Sequence, residues 1–136
     1  MLVQGQAYRQ EYGFNAIHLL MQNIYGPGDH FTEESSGVVA ALIRKVYQAK
    51  KEHKDYFEVW GTGKATRQFI YVEDAADAIV LSVEKYNKAE AINIGSDEEV
   101  SIKELAELIS NLMDFQGAIK YDFSKPDGQE RRFFDL

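Results

Sequence analysis

The sequence of 136 residues contains no cysteine, only two prolines and a single tryptophan. The absence of cysteine excludes disulfide bonds and metal sites built on thiolates. No apolar run is long enough to cross a bilayer, and the N-terminal residues lack the basic leader and apolar core of a signal peptide. These absences lead us to expect a soluble, cytoplasmic protein.

Positive charge is also scarce, with 15 Lys and Arg residues against 22 Asp and Glu and a net charge of -7. A polyanion would be repelled, so the balance argues against a general binder of nucleic acid or anionic membrane. It does not exclude a nucleotide ligand, because a few well-placed Arg or Lys residues can hold a diphosphate. The length is sufficient for one domain with a hydrophobic core.

Helical and extended patterns alternate along the chain, which predicts an α/β fold. Apolar spacing and end signals predict four helices. The first spans 2–12 and ends at Gly13, and the second spans 38–50. The third follows an N-cap at Asp74, and the fourth follows a capping box at 101–104. Strands are predicted at 16–21, 56–60, 68–72, 91–94 and 118–123. We interpret 16–21 and 91–94 as parallel core strands and the remainder as a small lobe beside them.

The stretch from Val59 to Ala76 is the most informative part of the sequence. It ends a strand, turns through two glycines, presents Trp60 and Arg67, and continues into a helix. Its glycines fit neither the P-loop nor the Gly-x-Gly-x-x-Gly spacing, so a plain turn is favoured on spacing alone. Arg67 can hold a diphosphate through two parallel hydrogen bonds. Trp60 can serve a flat ligand ring, with core packing as its alternative.

Other polar residues are weaker candidates for a catalytic or metal-binding role. His18 lies within an apolar strand, and we interpret it as a core histidine whose hydrogen bonds are satisfied. His30 and His53 have no companion at metal-ligand spacing, so no metal site is expected. The acidic pairs at 33–34 and 98–99 are interpreted as solvated loop charge.

Four segments together resemble the extended short-chain dehydrogenase/epimerase family. They are Asn-Ile-Tyr-Gly-Pro at 23–27, the stretch at 60–76, Ile-Asn-Ile-Gly at 92–95, and Ser-Lys-Pro-Asp-Gly at 124–128. The first is common to many nucleotide-sugar epimerases and dehydratases, whereas the second and fourth together are most similar to the GDP-L-fucose synthases. The resemblance covers essentially the whole chain. It implies the last core strands of an extended Rossmann-type fold with a small substrate-binding α/β lobe.

The resemblance also implies an activity and a set of contacts. The GDP-L-fucose synthases are NADP-dependent enzymes that epimerise GDP-4-keto-6-deoxymannose at two carbons and then reduce its ketone with hydride. Asn23 would lie where cofactor and sugar meet, with the Ile24 backbone near the nicotinamide. The remaining implied contacts are with the sugar nucleotide. Val38 and Leu42 would line its pocket, and Lys45 would face a phosphate. Trp60 would contact the guanosine, Arg67 the diphosphate, and Lys125 the ribose or base. Simple solvent exposure is the alternative for Lys125.

Two differences from the GDP-L-fucose synthases bear on chemistry. Gly37 stands where those enzymes carry a histidine that acts in epimerisation and contacts the cofactor, and glycine cannot exchange a proton. The family's Tyr-x-x-x-Lys pair and Gly-rich cofactor turn would lie before Met1. Residues 1–136 are therefore expected to be the C-terminal substrate-binding portion, inactive without an N-terminal cofactor domain.

Three hypotheses follow from these observations. The chain is part of a GDP-sugar epimerase/reductase, part of another nucleotide-sugar epimerase, dehydratase or decarboxylase, or a non-catalytic nucleotide-binding module. Gly37 favours the second. Self-association is left open, because the helix that ends at Tyr12 corresponds to the family's usual homodimer contact and the core strands are expected to expose apolar surface.

Overall fold

A computed structural model describes residues 1–32 and 36–136, and within these ranges the chain is a mixed α/β structure. The elements in chain order are α1 Leu2–Tyr12, β1 His18–Met21, β2 Asn23–Tyr25, α2 Val38–Lys51, β3 Tyr56–Trp60, β4 Thr66–Tyr71, α3 Val72–Lys85, β5 Ala91–Ile94, β6 Glu99–Ser101, α4 Ile102–Leu112, β7 Ala118–Asp122 and β8 Arg131–Arg132. The acidic pair Glu33 and Glu34 lies outside the described residues. No helix within the two described ranges has the length and apolarity needed to cross a membrane.

The chain forms two compact units. The first consists of Met1–Gly26, Phe69–Asp97 and Phe134–Leu136, and the second consists of Pro27–Gln68 and Glu98–Phe133. Strand β4 contributes its first half to the second unit and its last half to the first.

In the first unit, β1 and β5 pair in parallel, with His18 opposite Ala91. This pairing confirms that the two predicted strands are parallel neighbours, although neither strand contains a fully buried residue. The buried Gln22 amide adds to the pairing: its Nε2 donates to the Ser96 carbonyl at 2.9 Å and its Oε1 accepts from the Ser96 N–H at 2.8 Å. Gly95 permits this contact, because a Cβ there would lie 1.9 Å from the Gln22 Cδ.

Helix α1 ends as predicted at Gly13, whose left-handed backbone (φ 64°) places its N–H against the Arg9 carbonyl. The same helix passes close to β1 at Gly5, where a Cβ would lie 2.3 Å from His18 Nε2. That nitrogen is buried and has no hydrogen-bond partner within the described part of the chain. The expectation of a satisfied core histidine is therefore wrong. The nearest helical residue is a glycine, which has no side chain to offer.

Helix α3 begins at Val72 with Tyr71 as its N-cap, so the predicted cap at Asp74 is wrong. Strand β4 runs directly into the helix, and Asp74 instead lies in the first turn, where a negative charge complements the helix dipole. Helix α3 leaves four large apolar side chains exposed: Ile79, Val80, Leu81 and Val83.

In the second unit, β3 pairs in parallel with β7, from Tyr56 opposite Ala118 to Trp60 opposite Asp122. Alternation along β3 buries Phe57 and Val59 and exposes the other three residues. Helices α2 and α4 complete the core with residues that recur at helical spacing: Ala40, Leu42, Val46, Ala49, Leu105, Ala106 and Ile109. The predicted capping box at the start of α4 is confirmed.

Strands β2, β6 and β8 were not predicted from the sequence, and β6 and β8 lie along opposite edges of the first half of β4. Glu99, interpreted as solvated loop charge, lies in β6 and accepts hydrogen bonds from Arg131 Nε at 2.8 Å and Nη2 at 2.7 Å. The Thr66 hydroxyl donates to the same carboxylate. The bonds from Arg131 and then Thr66 lower the pKa of Glu99 to about 2. The interpretation as loop charge is thus wrong for Glu99, because its carboxylate joins β4, β6 and β8.

Candidate functional site

The second unit contains a cavity of about 640 Å³, bounded by α2, β3, the start of β4 and the chain after β7. A volume of this order is typical of pockets that hold small molecules. Five of the residues singled out in the sequence line it: Val38, Leu42, Lys45, Trp60 and Arg67.

Helix α2 supplies three of these residues by its periodicity. Val38, Leu42 and Lys45 are spaced by four and three residues, so their side chains fall on one face of the helix. Leu42 is buried there, whereas Lys45 extends toward β3 and donates from Nζ to the Glu58 carbonyl at 2.9 Å. Gly37 is the N-cap of α2, and a Cβ at this position would meet no atom within 4 Å among the described residues.

Trp60 ends β3 on its exposed face, and 58% of its surface is accessible. Core packing, the alternative interpretation of this residue, is therefore wrong. Two ammonium groups flank the indole: Lys45 Nζ lies 4.9 Å and Lys125 Nζ 5.6 Å from the ring centroid. Cations at such distances interact favourably with the face of an indole. The arrangement offers an open aromatic face with positive charge beside it.

Arg67 lies on β4, half-buried, and lines the same cavity. Its Nη1 donates to the Thr66 carbonyl at 2.6 Å, a bond that orients the guanidinium. A guanidinium has five N–H donors, so most of them remain for a ligand. The planar fork suits a phosphate or carboxylate.

The segment 122–130, which we call the strap, connects β7 to β8 and closes one side of the cavity with Pro126 and Asp127. Asp127 binds the turn after β3: its Oδ1 accepts from the Thr62 N–H at 2.6 Å and its Oδ2 from the Thr62 hydroxyl at 2.8 Å. These bonds lower the pKa of Asp127, the hydroxyl bond most. Both segments belong to the motifs of the sequence, but their contact was not predicted. The residue types predicted two separate turns but not the contact between them.

Among the residues that the structure describes, those that line the cavity carry a net charge opposite in sign to that of the whole chain. Four cationic side chains line it: Arg44, Lys45, Lys54 and Arg67. Two carboxylates, Glu58 and Asp127, also line it. Arg44 and Lys54 were not among the sequence-predicted residues, although the predicted helix and loop contained them. The Nε of Arg44 is buried and has no hydrogen-bond partner among the residues the structure describes.

Asn23 and Ile24, the implied cofactor contacts, lie on β2 in the first unit. Asn23 is half-buried opposite Phe69, and Ile24 is exposed opposite Ile70. Strand β2 is at the end of its sheet within the described residues, with β4 on its paired side.

A Tyr-x-x-x-Lys spacing occurs twice, at Tyr47 and Lys51 on α2 and at Tyr121 and Lys125 at the end of β7. None of these four residues is among those that line the cavity, and Tyr47 is 58% exposed. The spacing therefore adds no candidate to the site. The described residues contain no cluster of three His, Asp or Glu side chains that could hold a metal ion.

Comparison with known proteins matches residues 3–95 to the NAD dependent epimerase/dehydratase family. A probable GDP-L-fucose synthase 1 of Oryza sativa subsp. japonica is 46% identical over 130 residues, which are 96% of this chain and 40% of that protein. A GDP-L-fucose synthetase from Naegleria fowleri bound to NADP superimposes with a TM-score of 0.87 at 30% identity, over 96% of this chain and 43% of that chain.

A GDP-6-OMe-4-keto-L-xylo-heptose reductase from C. jejuni has a TM-score of 0.83 at 27% identity and covers 98% of this chain and 50% of that chain. The chain spans about 40% of the length of the curated relatives it matches. These likenesses confirm the predicted fold class, part of a Rossmann-type epimerase/reductase fold.

Proposed function

Because the chain belongs to the NAD-dependent epimerase/dehydratase family, we propose that it is the sugar-nucleotide-binding portion of an NADP-dependent GDP-sugar epimerase/reductase. The proposed substrate is GDP-4-keto-6-deoxymannose. The observation that carries the proposal is the cavity of the second unit, in which Trp60, Arg67 and Lys45 meet. We assign to these residues the binding of the substrate and no proton transfer.

The diphosphate is assigned to Arg67 and Lys45. A diphosphate is a strong anion, and charge-assisted hydrogen bonds to a guanidinium or ammonium group are about twice as strong as neutral ones. Arg67 is already oriented by the Thr66 carbonyl, so less conformational freedom is lost when a phosphate binds. The local excess of cations offsets the repulsion expected from a chain with a net charge of -7.

The base is assigned to the Trp60 ring, with Lys125 at its ribose. An exposed indole provides a broad apolar face on which a purine can stack. Guanine presents an N–H and an amino group on one edge, and a carboxylate is an acceptor for both. The Glu58 side chain lies on the same face of β3 as Trp60 and lines the cavity, which supports guanine over uracil or thymine.

The reduced cofactor, NADPH, would supply the hydride for reduction of the keto sugar and would leave as NADP+. The sequence contains no Gly-x-Gly-x-x-Gly turn, so the described residues fit only the nicotinamide end of the dinucleotide. The main chain of β2 at Ile24 lies at the end of a sheet, where backbone groups can bond a ligand amide.

Calorimetric titration of the folded chain with GDP, UDP and dTDP tests the proposal. We expect GDP to bind most tightly, because only guanine offers both donors to Glu58. Far-UV circular dichroism establishes that the protein is folded. Equal affinity for the three nucleotides would refute the assignment of a guanine site.

A second candidate is a GDP-sugar reductase that does not epimerise. It is favoured by Gly37, whose lack of a side chain leaves nothing at this position to exchange a proton. The two candidates differ in deuterium uptake from D2O: an epimerase/reductase labels the epimerised carbons, and a reductase does not. Nuclear magnetic resonance of the sugar product, formed by the enzyme to which these residues belong, shows whether the epimerised carbons carry deuterium and so distinguishes the two candidates.

A further inference from the structure

The strap is attached at three points to the segment that runs from the turn after β3 to the first residue of β4. At its ends, the Gly61 N–H donates to the Asp122 carbonyl and the Thr66 N–H donates to the Glu130 carbonyl, both at 2.9 Å. Between them, the Asp127 carboxylate accepts from Thr62. The end contacts use backbone groups, so Asp127 provides the side-chain attachment between them.

The close approach of Asp127 depends on a glycine. Gly61 has a φ of 75°, and a Cβ there would lie 2.2 Å from Asp127 Oδ1. The turn therefore has both the conformation and the space that the carboxylate needs. Both carboxylate oxygens accept hydrogen bonds from Thr62, so rotation of the Asp127 side chain would break a bond.

The consequence of this attachment falls on Lys125, two residues before Asp127. A lysine side chain loses considerable rotamer freedom when it is held in one place. Here its ammonium lies 5.6 Å from the Trp60 ring centroid, on a loop with the exposed residues Ser124 and Pro126 on either side. A loop fixed at its centre limits the positions that Lys125 can take.

We propose that Asp127 is a positioning residue for the nucleotide cavity, which fastens the strap through Thr62 and so holds Lys125 beside Trp60. This inference rests on the proposed function, because it takes a nucleotide as the ligand. Asp127 acts through Lys125, because both of its carboxylate oxygens accept hydrogen bonds from Thr62.

Two readouts test this role. Trp60 is the only tryptophan in the chain, so its fluorescence reports on the site without any ligand. In Asp127→Ala we expect stronger acrylamide quenching of Trp60 and a GDP affinity lower by about threefold to tenfold, at unchanged circular dichroism. Asp127→Asn keeps an acceptor for the Thr62 N–H and is expected to recover part of both values. Asp97→Ala removes an exposed carboxylate in the other unit and is the control.

A double-mutant cycle separates positioning from a general structural effect. In a Lys125→Met background, Asp127→Ala should change GDP affinity by less than about twofold, because the group that it positions is already gone. Independent, multiplying effects of the two substitutions would overturn the proposal. If Asp127→Ala does not fold, Thr62→Val removes the hydroxyl bond to Asp127 and the bond that this hydroxyl accepts from the Lys64 N–H. It keeps the Thr62 N–H bond to Asp127 and should shift both readouts in the same direction.

The outcomes also distinguish this inference from the proposed function. If the wild-type chain binds GDP and Asp127→Ala binds it equally well with unchanged quenching, only the positioning role fails. If the folded wild-type chain binds no GDP, the proposed function fails and the role of Asp127 toward a nucleotide fails with it.

Discussion

Replacement of Arg67 by alanine is the most direct test of how the cavity holds its ligand. The guanidinium has five N–H donors, and one bond, from Nη1 to the Thr66 carbonyl, orients it within the cavity wall. A hydrogen bond to a charged group contributes about 1.5–3 kcal/mol. The cavity is open to solvent, so we take the lower end of this range. Arg67→Ala should then weaken GDP binding at least about tenfold, or about 1.4 kcal/mol.

The loss should depend on the phosphates of the ligand. If Arg67 holds the diphosphate, Arg67→Ala lowers the affinity for GDP and leaves that for guanosine within about twofold, because guanosine has no anion to bind. Arg67→Lys keeps the charge but loses the planar fork, so its GDP affinity should lie between those of the wild type and Arg67→Ala. Isothermal titration calorimetry measures all three variants with both ligands.

The control is Lys64→Ala, which removes the same charge from an exposed residue three positions earlier that does not line the cavity. Its GDP affinity should stay within about twofold of the wild type, because exposed charges at a distance are largely screened. The assignment of Arg67 to the diphosphate is refuted if guanosine and GDP lose affinity equally in Arg67→Ala. It is also refuted if that variant is folded and binds GDP like the wild type.

Four further substitutions test the fold of the second unit. The pKa of Glu99 is lowered from 4.5 to about 2, so its bonds stabilise the folded state above pH 4.5 and are lost as the pH falls toward 2. The melting temperature of Glu99→Gln should therefore fall less than that of the wild type between pH 4.5 and pH 2. Parallel curves of melting temperature against pH would contradict this. Leu105 is buried on α4, and Leu105→Ala should lower the free energy of unfolding in urea by about 2–5 kcal/mol. Leu112→Ala, on the exposed face of the same helix, should change it by less than about 0.5 kcal/mol, and equal losses would show that this core is misassigned. Ser101→Ala removes the N-cap of α4 and should cost about 1 kcal/mol in the same urea titration, whereas no loss would mean that the capping box is not stabilising.

Features of the fold that depend on neighbouring residues could be predicted from the sequence. The capping box of α4 lies within four residues, and the end of α1 follows from the left-handed preference of Gly13. The pairing of β1 with β5 could also be inferred, because near-continuous apolar strands are typical of parallel sheets. In each case the physical cause acts over a few residues or through a general property of strands.

Features that depend on distant residues could not be predicted. Strand β6 has three residues and β8 two, too few for a periodic pattern, and both are defined by their pairing with β4. Glu99 finds Arg131 only after 32 positions of intervening chain. The start of α3 was misplaced because a favourable cap residue, Asp74, was weighed without the preceding strand.

The residues of the candidate site likewise divide into those that could be predicted from the sequence and those that could not. Trp60 and Arg67 stood out because they flank one turn, and the family resemblance suggested Lys125. Arg44 and Lys54 have no local feature that separates them from other surface cations, and only the fold brings them to the cavity. Asp127 was part of a quoted motif, but its role depends on Thr62, 65 residues earlier.

The partners of two arginines on β4 and β8 explain how a chain of net charge -7 can keep positive charge for an anion. Arg131 donates to the Glu99 carboxylate, so its charge is compensated and it serves the folded structure. Arg67 donates to the neutral Thr66 carbonyl, which fixes the direction of the guanidinium and leaves its charge uncompensated by that bond. A charge oriented in advance attracts a phosphate without the cost of breaking an existing ion pair. The difference between a carboxylate partner and a carbonyl partner therefore separates the structural arginine from the one proposed to bind ligand.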